Sequence, residues 1–156
     1  MELENGVGNT SVTLTIPSSP EYVGIARLVV LGVASRMGFS YDEVEDLRLA
    51  VAEVCTASIE RLRQSSTSGV PVLVTVVCQA EGDTLTIDIE DPATSGGAGS
   101  GDEELDSHEI SALLVEILVD EVATQPLDGG GTRVRLIKRV SGNGGADLSE
   151  ILGNGR

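Results

Sequence analysis

Tryptophan is absent from this chain, phenylalanine occurs once and tyrosine twice. A core must therefore be aliphatic, drawn from the Val, Leu, Ile and Ala that dominate an apolar fraction of 40 % in 156 residues. That length suits one domain with its own core. Basic residues are scarce too. Ten Lys and Arg stand against 25 Asp and Glu, a formal net charge of −15 with a single His. Phosphate contacts need clustered cations, so the balance argues against a direct nucleic-acid partner. It argues equally against an anionic membrane surface, and it leaves room for a basic protein partner. No apolar run reaches membrane-spanning length. The N-terminal MELENGVGNT has no basic region followed by an apolar one, so the expected location is cytoplasmic. Only two cysteines occur, Cys55 and Cys78, in apolar surroundings and without metal-ligand spacing. They read as reduced, buried thiols.

What is present is organised around residues 44–62, VEDLRLAVAEVCTASIERL. The spacing predicts a helix with Val44, Leu47, Val51, Val54, Cys55, Ser58 and Leu62 on one stripe. The other side carries Asp46, Leu49, Ala50, Glu53, Ala57 and Glu60. Glu53 lies between Ala50 and Ala57, small residues about one turn to either side. Such a carboxylate is compatible with a floor under something bulky, or with a plain exposed Glu on a good helix former.

Around this helix the order is readable. Residues 1–9 form a flexible lead-in. SVTLTIP is a half-buried strand ended by Pro17. Ser18 or Ser19 caps a helix with Pro20 in its first turn, running to about Met37, and Gly38 closes it. Ser40 and Glu43 fit a capping box for the central helix. VPVLVTVVCQA and TLTIDIED are strands joined by the turn EGD. Residues 92–106 read as a mobile Gly- and acid-rich loop. Ser107 then caps a helix to about Val122, with Ile110, Leu113, Leu114, Ile117 and Leu118 on its core side. His108 reads as a surface residue. Residues 123–126 are short and extended, and TRVRLIKRV is a last strand, with Val134, Leu136 and Ile137 set against Arg133, Arg135 and Lys138. Residues 141–156 read as a disordered tail. The expected fold is an α+β two-layer sandwich, a mostly antiparallel mixed sheet with helices on one face, spanning residues 10–140.

LRLAVAEVCTASI, IDIEDPA, ALLVEILVDEV and GGGTRVRLIKRV resemble, in order and spacing, the bacterial anti-sigma-factor serine kinases of the GHKL (Bergerat-fold, histidine-kinase-like) ATPase superfamily. The resemblance covers residues 10–140. It implies ATP and Mg²⁺ as cofactors and assigns roles. Glu53 matches the catalytic base, which would take the proton from the attacking hydroxyl. Ala57 stands where the family has the Asn that ligates Mg²⁺, and a methyl group cannot ligate a cation, so no metal residue is assigned. Asp91 matches the Asp that accepts from the adenine amino group. Ala93 replaces the Gly that follows it. Glu109 and Ser111 occupy the positions of the glycine pair whose N–H groups cradle phosphate. Thr132 matches the Thr at the adenine end.

The resemblance therefore implies an anti-sigma regulatory factor with weak or lost ATP binding. It would sequester a sigma factor, be displaced by a competing STAS-type anti-anti-sigma protein, and act as a homodimer. A second reading is an active Mg-ATP-dependent serine/threonine kinase of that STAS partner. A third is the same fold with an unrelated protein partner.

Overall fold

The computed structural model describes residues 9–65, 72–92 and 102–141, with the side chains of Ser65 and residues 102–109 outside the description. The expected lead-in before Asn9, most of the loop after the central helix, most of the Gly-rich stretch and the tail after Ser141 lie outside the described residues. The elements are β1 (Thr10–Pro17), a 3-10 turn (Pro20–Tyr22), α1 (Val23–Ala34), α2 (Tyr41–Ser65), β2 (Leu73–Glu81), β3 (Thr84–Pro92), α3 (Asp102–Leu118), β4 (Glu121–Pro126) and β5 (Gly131–Arg139). The sheet order is β1-β2-β3-β5-β4. Every pairing among the described residues is antiparallel. The three helices pack on one face of the sheet, α2 between α1 and α3.

The α2 stripe expected from spacing is buried throughout: Val44, Leu47, Val51, Val54, Cys55, Ser58 and Leu62. Ala50, expected on the opposite side, is fully buried as well, and so is Ile59. A helix covered by two neighbouring helices and a sheet hides more than half its circumference, and the small Ala50 is where a neighbour comes close. The capping box forms as written. The Glu43 N–H donates to Ser40 Oγ at 3.2 Å, and the Ser40 N–H donates to Glu43 Oε2 at 2.7 Å. Glu43 also accepts from the Ser141 N–H at 3.1 Å, tying the start of α2 to the end of the last strand. Burial pushes the Glu43 carboxyl up, but the hydrogen bonds from Ser141 and Ser40 outweigh it and hold the group below its ordinary value.

Several expectations need correction. The first helix does not run from Pro20 to Met37: Pro20 opens a single 3-10 turn, and α1 stops at Ala34. Ser19 is extended and makes no side-chain cap, and Ser18 is buried with its N–H on the Val72 carbonyl at 2.8 Å. Pairing at the strand end has taken Ser18 out of capping range. α3 begins at Asp102 rather than after Ser107, because DEEL sets carboxylates in a first helical turn, where the helix dipole favours them. It ends at Leu118 rather than Val122, because residues 121–126 pair with β5. On α3 the core side is Leu114, Val115 and Leu118. Ile110, Leu113 and Ile117, expected on that side, are 68 %, 59 % and 80 % exposed. In β5 the core face is Val134, Leu136 and Lys138, while Ile137 alternates onto the outer face with Arg133 and Arg135. Lys138 is buried because its ammonium donates to the Leu118 carbonyl at 2.9 Å, closing the C-terminus of α3.

The outer face of the sheet is polar. Asp88 on β3 is buried under Arg135, which donates to both its carboxylate oxygens at 2.7 and 2.8 Å. The free thiols Cys55 and Cys78 lie in the core. Burial, with Cys78 nearby, pushes the Cys55 thiol up to about 12, and burial pushes Cys78 up to about 11. Thiolate is the reactive form. At pH 8, both cysteines should therefore resist a thiol-specific aromatic disulfide in the folded protein and react fully in denaturant; rapid native reaction of either would contradict their placement. Ser40→Ala removes one side of the capping box and should lower stability by about 1 kcal/mol, read as a shift in the urea midpoint without a change in slope.

Candidate functional site

α2 carries Glu53, Ala57, Ser58 and Arg61 toward α3 and the sheet, at spacings of four, one and three residues. Positions three and four apart share a helix face, so these side chains form one row. α3 lies along that row. Ser111 on α3 donates its hydroxyl to Glu53 Oε2 at 3.0 Å. Glu53 is thus not a plain exposed carboxylate. The residue standing at one of the two glycine positions closes over it.

At the other end of the row the Arg61 guanidinium donates to Asp91 Oδ2 at 2.5 Å and to Ser58 Oγ at 3.2 Å. Asp91 is only 5 % exposed and Ser58 is buried, while the Arg61 side chain is about half exposed. A buried carboxylate requires a charged or hydrogen-bonding partner, and Arg61 is that partner. Thr132 faces Asp91 directly across the β3–β5 ladder. The structure therefore places Asp91 and Thr132 side by side, with Arg61 against Asp91. Arg61 and Ser58 were not expected at the site. Nothing local marks Arg61, since Asp91 is 30 residues away. Ser58, interrupting an otherwise apolar stripe, was the signal available.

Between these two contacts is a cavity of about 120 Å³, lined by Val54, Ala57, Ser58, Arg61, Ser111, Ala112, Val115, Val122, Thr124 and Val134. Neither Asp91 nor Thr132 is among its lining residues. The walls are chiefly apolar. Ala57 contributes a methyl group to it. Among the described residues no three His, Cys, Asp or Glu side chains converge as a metal site. Among the described residues, position 57 offers Mg²⁺ no oxygen ligand, and the one guanidinium that lines the cavity, Arg61, is engaged with Asp91. Ala93 and the Glu109 side chain lie outside the described residues.

Comparison with known proteins gives a consistent answer. A family profile described as the histidine kinase-like ATPase domain matches residues 16–138. Serine-protein kinase RsbW of Bacillus subtilis (strain 168) is 33 % identical over 140 residues, covering 84 % of this chain and 86 % of that protein. RsbW of Listeria innocua is 32 % identical over 123 residues, covering 71 % and 76 %. Among solved structures, the RsbU and RsbW domains of Rv1364c from Mycobacterium tuberculosis superpose with a TM-score of 0.62 at 16 % identity, covering 84 % of this chain and 32 % of that longer one.

Removing Arg61 strands a buried carboxylate. Arg61→Ala should cost about 1–3 kcal/mol in denaturant unfolding, and Asp91→Ala in the same background should recover part of it. Strictly additive losses would show that the two side chains do not act as a pair.

Proposed function

The chain belongs to the histidine kinase-like ATPase family, among relatives of the serine-protein kinase RsbW, and from that premise we propose that it works by binding rather than by phosphoryl transfer. On this reading it is a cytoplasmic, homodimeric anti-sigma factor that sequesters a sigma factor and is displaced by a competing STAS-type anti-anti-sigma protein, with nucleotide binding weak or lost. The observation that carries the reading is the Arg61–Asp91 ion pair. The carboxylate that the resemblance assigns to adenine is held by a cation of the chain itself and does not line the cavity. Ala57 and the Ser111–Glu53 hydrogen bond support the same conclusion at the phosphate end. At position 57 a methyl group stands where the resemblance puts the Mg²⁺ ligand.

The net charge of −15 gives such a protein a use for its surface. A sigma factor presents basic DNA-binding faces, and an acidic competitor is steered toward them at a rate that falls with salt. The switch between partners is then mass action between two complexes, with no covalent step.

A kinase reading is favoured by one observation, that a relative 33 % identical over most of its length is a serine-protein kinase. On it, Glu53 is the base, and Ser111 must leave its carboxylate before a substrate hydroxyl can approach. The two readings separate calorimetrically. The unaltered protein should bind ATP or ADP no more tightly than about 1 mM, with or without Mg²⁺. Ala57→Asn with Glu109→Gly and Ser111→Gly should gain Mg²⁺-dependent binding. Micromolar Mg²⁺-dependent binding by the unaltered chain, with phosphate transfer to a STAS partner that Glu53→Ala abolishes, would overturn the binding-only reading and establish the kinase.

A further inference from the structure

α3 leaves an apolar stripe in water. Ile110, Leu113 and Ile117 are exposed, and at intervals of three and four they share one face of the helix. Single exposed leucines are ordinary on a surface, but a contiguous stripe is not. Two contacts show how α3 lies on its neighbour. The Ser111 hydroxyl meets Glu53, and the Lys138 ammonium donates to the Leu118 carbonyl while standing 4.0 Å from Asp46. Asp46 precedes Glu53 and Leu118 follows Ser111, so α2 and α3 run antiparallel. Leu49 falls between the two tie points, one turn before Glu53 on the same face, and is 44 % exposed. It carries the apolar surface from α3 onto α2.

Charge and backbone say what covers it. Residues 64–132 hold fourteen Asp and Glu and no Lys or Arg, which is nearly all of the net charge of −15. Six of these acids are on α3, and Asp120 and Glu121 follow it. Glu116, beside Ile117, is exposed, and among the described residues it has no ion pair. The cations on this side are engaged within the chain: Arg48 with Glu45, Arg61 with Asp91, and Lys138 with the Leu118 carbonyl. Arg63, the remaining cation of α2, lies fourteen residues beyond Leu49, about 21 Å along the axis. A second copy of this surface or an anionic lipid headgroup would bring like charge against it. Both helices also use their backbone N–H and C=O groups internally. An extended peptide would find no ladder here and would bury unpaired groups, whereas a helix brings its backbone already satisfied.

We propose that the stripe on α3, continued by Leu49 of α2, is the docking surface for an amphipathic helix of a partner protein whose apolar face is bordered by Lys and Arg. Apolar side chains three, four and seven apart on that helix seat between Ile110, Leu113 and Ile117, which repeat at the same interval. Its cations meet Glu116 and Asp120 at the edge, where charge pairs set rate and register more than affinity. The surface rests on the binding reading above and gives it a place on the molecule. It uses neither Ala57 nor Asp91, so the two can fail separately.

The probe is a synthetic helical peptide of about five turns, leucine on one face and lysine on the other, carrying a fluorescent label. It is titrated with the full chain and read by fluorescence anisotropy, beside a scrambled peptide of the same composition that has no apolar face. The amphipathic peptide should bind at least about tenfold more tightly than the scrambled one, and its affinity should fall several-fold between about 50 and 300 mM salt. Ile110→Ser with Ile117→Ser replaces two exposed side chains, so the fold should be kept, as read by circular dichroism, and binding should weaken about tenfold or more. Glu116→Lys should weaken it about threefold. Leu73→Ser, an exposed position on the far face of the sheet, should change nothing. Equal binding of the two peptides, equal binding by the Ile110→Ser, Ile117→Ser protein, or no binding at all would overturn the docking surface. The binding reading answers instead to the nucleotide titration above: it stands if only the surface is lost, and it falls to micromolar Mg²⁺-dependent ATP binding with phosphate transfer whatever the peptide does.

Discussion

The structure depends on the burial of α2. Its apolar side is shut against the sheet, and its flanks against α1 and α3, so that Leu47, Ala50, Val51 and Cys55 have no exposed surface. With no tryptophan and one phenylalanine, the core is a close fit of small aliphatic groups. Side chains of this kind transmit position well, because a packed interior has few voids in which a shift can be absorbed. The row from Glu53 to Arg61 is therefore placed by the same helix that makes the core. Its neighbours on α3, β3 and β5 are held at fixed offsets from it.

That placement accounts for the chemistry of the site. Two carboxylates sit at its ends. Each is occupied, Glu53 by the Ser111 hydroxyl and Asp91 by Arg61. Between them the wall is chiefly apolar, with Ala57 contributing a methyl group beside the hydroxyls of Ser58, Ser111 and Thr124. Ala57 suits its place within α2, since alanine is the best helix former.

Long-range polar contacts do the rest of the positioning. Lys138 closes the end of α3 through the Leu118 carbonyl, and Glu43 links the start of α2 to Ser141 beyond β5. Asp88 is covered by Arg135 from the neighbouring strand. None of these is visible as a local pattern. Lys138 illustrates the difficulty. Read along TRVRLIKRV it belongs with the arginines, but strict alternation from Leu136 puts it on the core face. The sheet kept the alternation, and the lysine found a carbonyl. On α3 the opposite happened. Ile110, Leu113 and Ile117 have helical spacing and hydrophobicity suited to a core, yet Leu114, Val115 and Leu118 were taken inside. In its second half α3 carries Ile110, Leu113, Leu114, Val115, Ile117 and Leu118, too many apolar residues for spacing alone to state which side is buried.

The sequence alone determined the element order, the aliphatic core, the stripe on α2, the Ser40–Glu43 cap, the β2–β3 hairpin and the positions answering to the family motifs. Each of these is set by neighbours within a turn or a hairpin, where spacing and chirality leave few alternatives. Only the tertiary structure decided that Arg61 would hold Asp91, 30 residues away, that Ser111 would close on Glu53, 58 residues away, and that Ile110, Leu113 and Ile117 would be left facing outward. Those outcomes depend on which surfaces the packing of three helices on one sheet brings within a few ångströms, and sequence separation does not encode that distance.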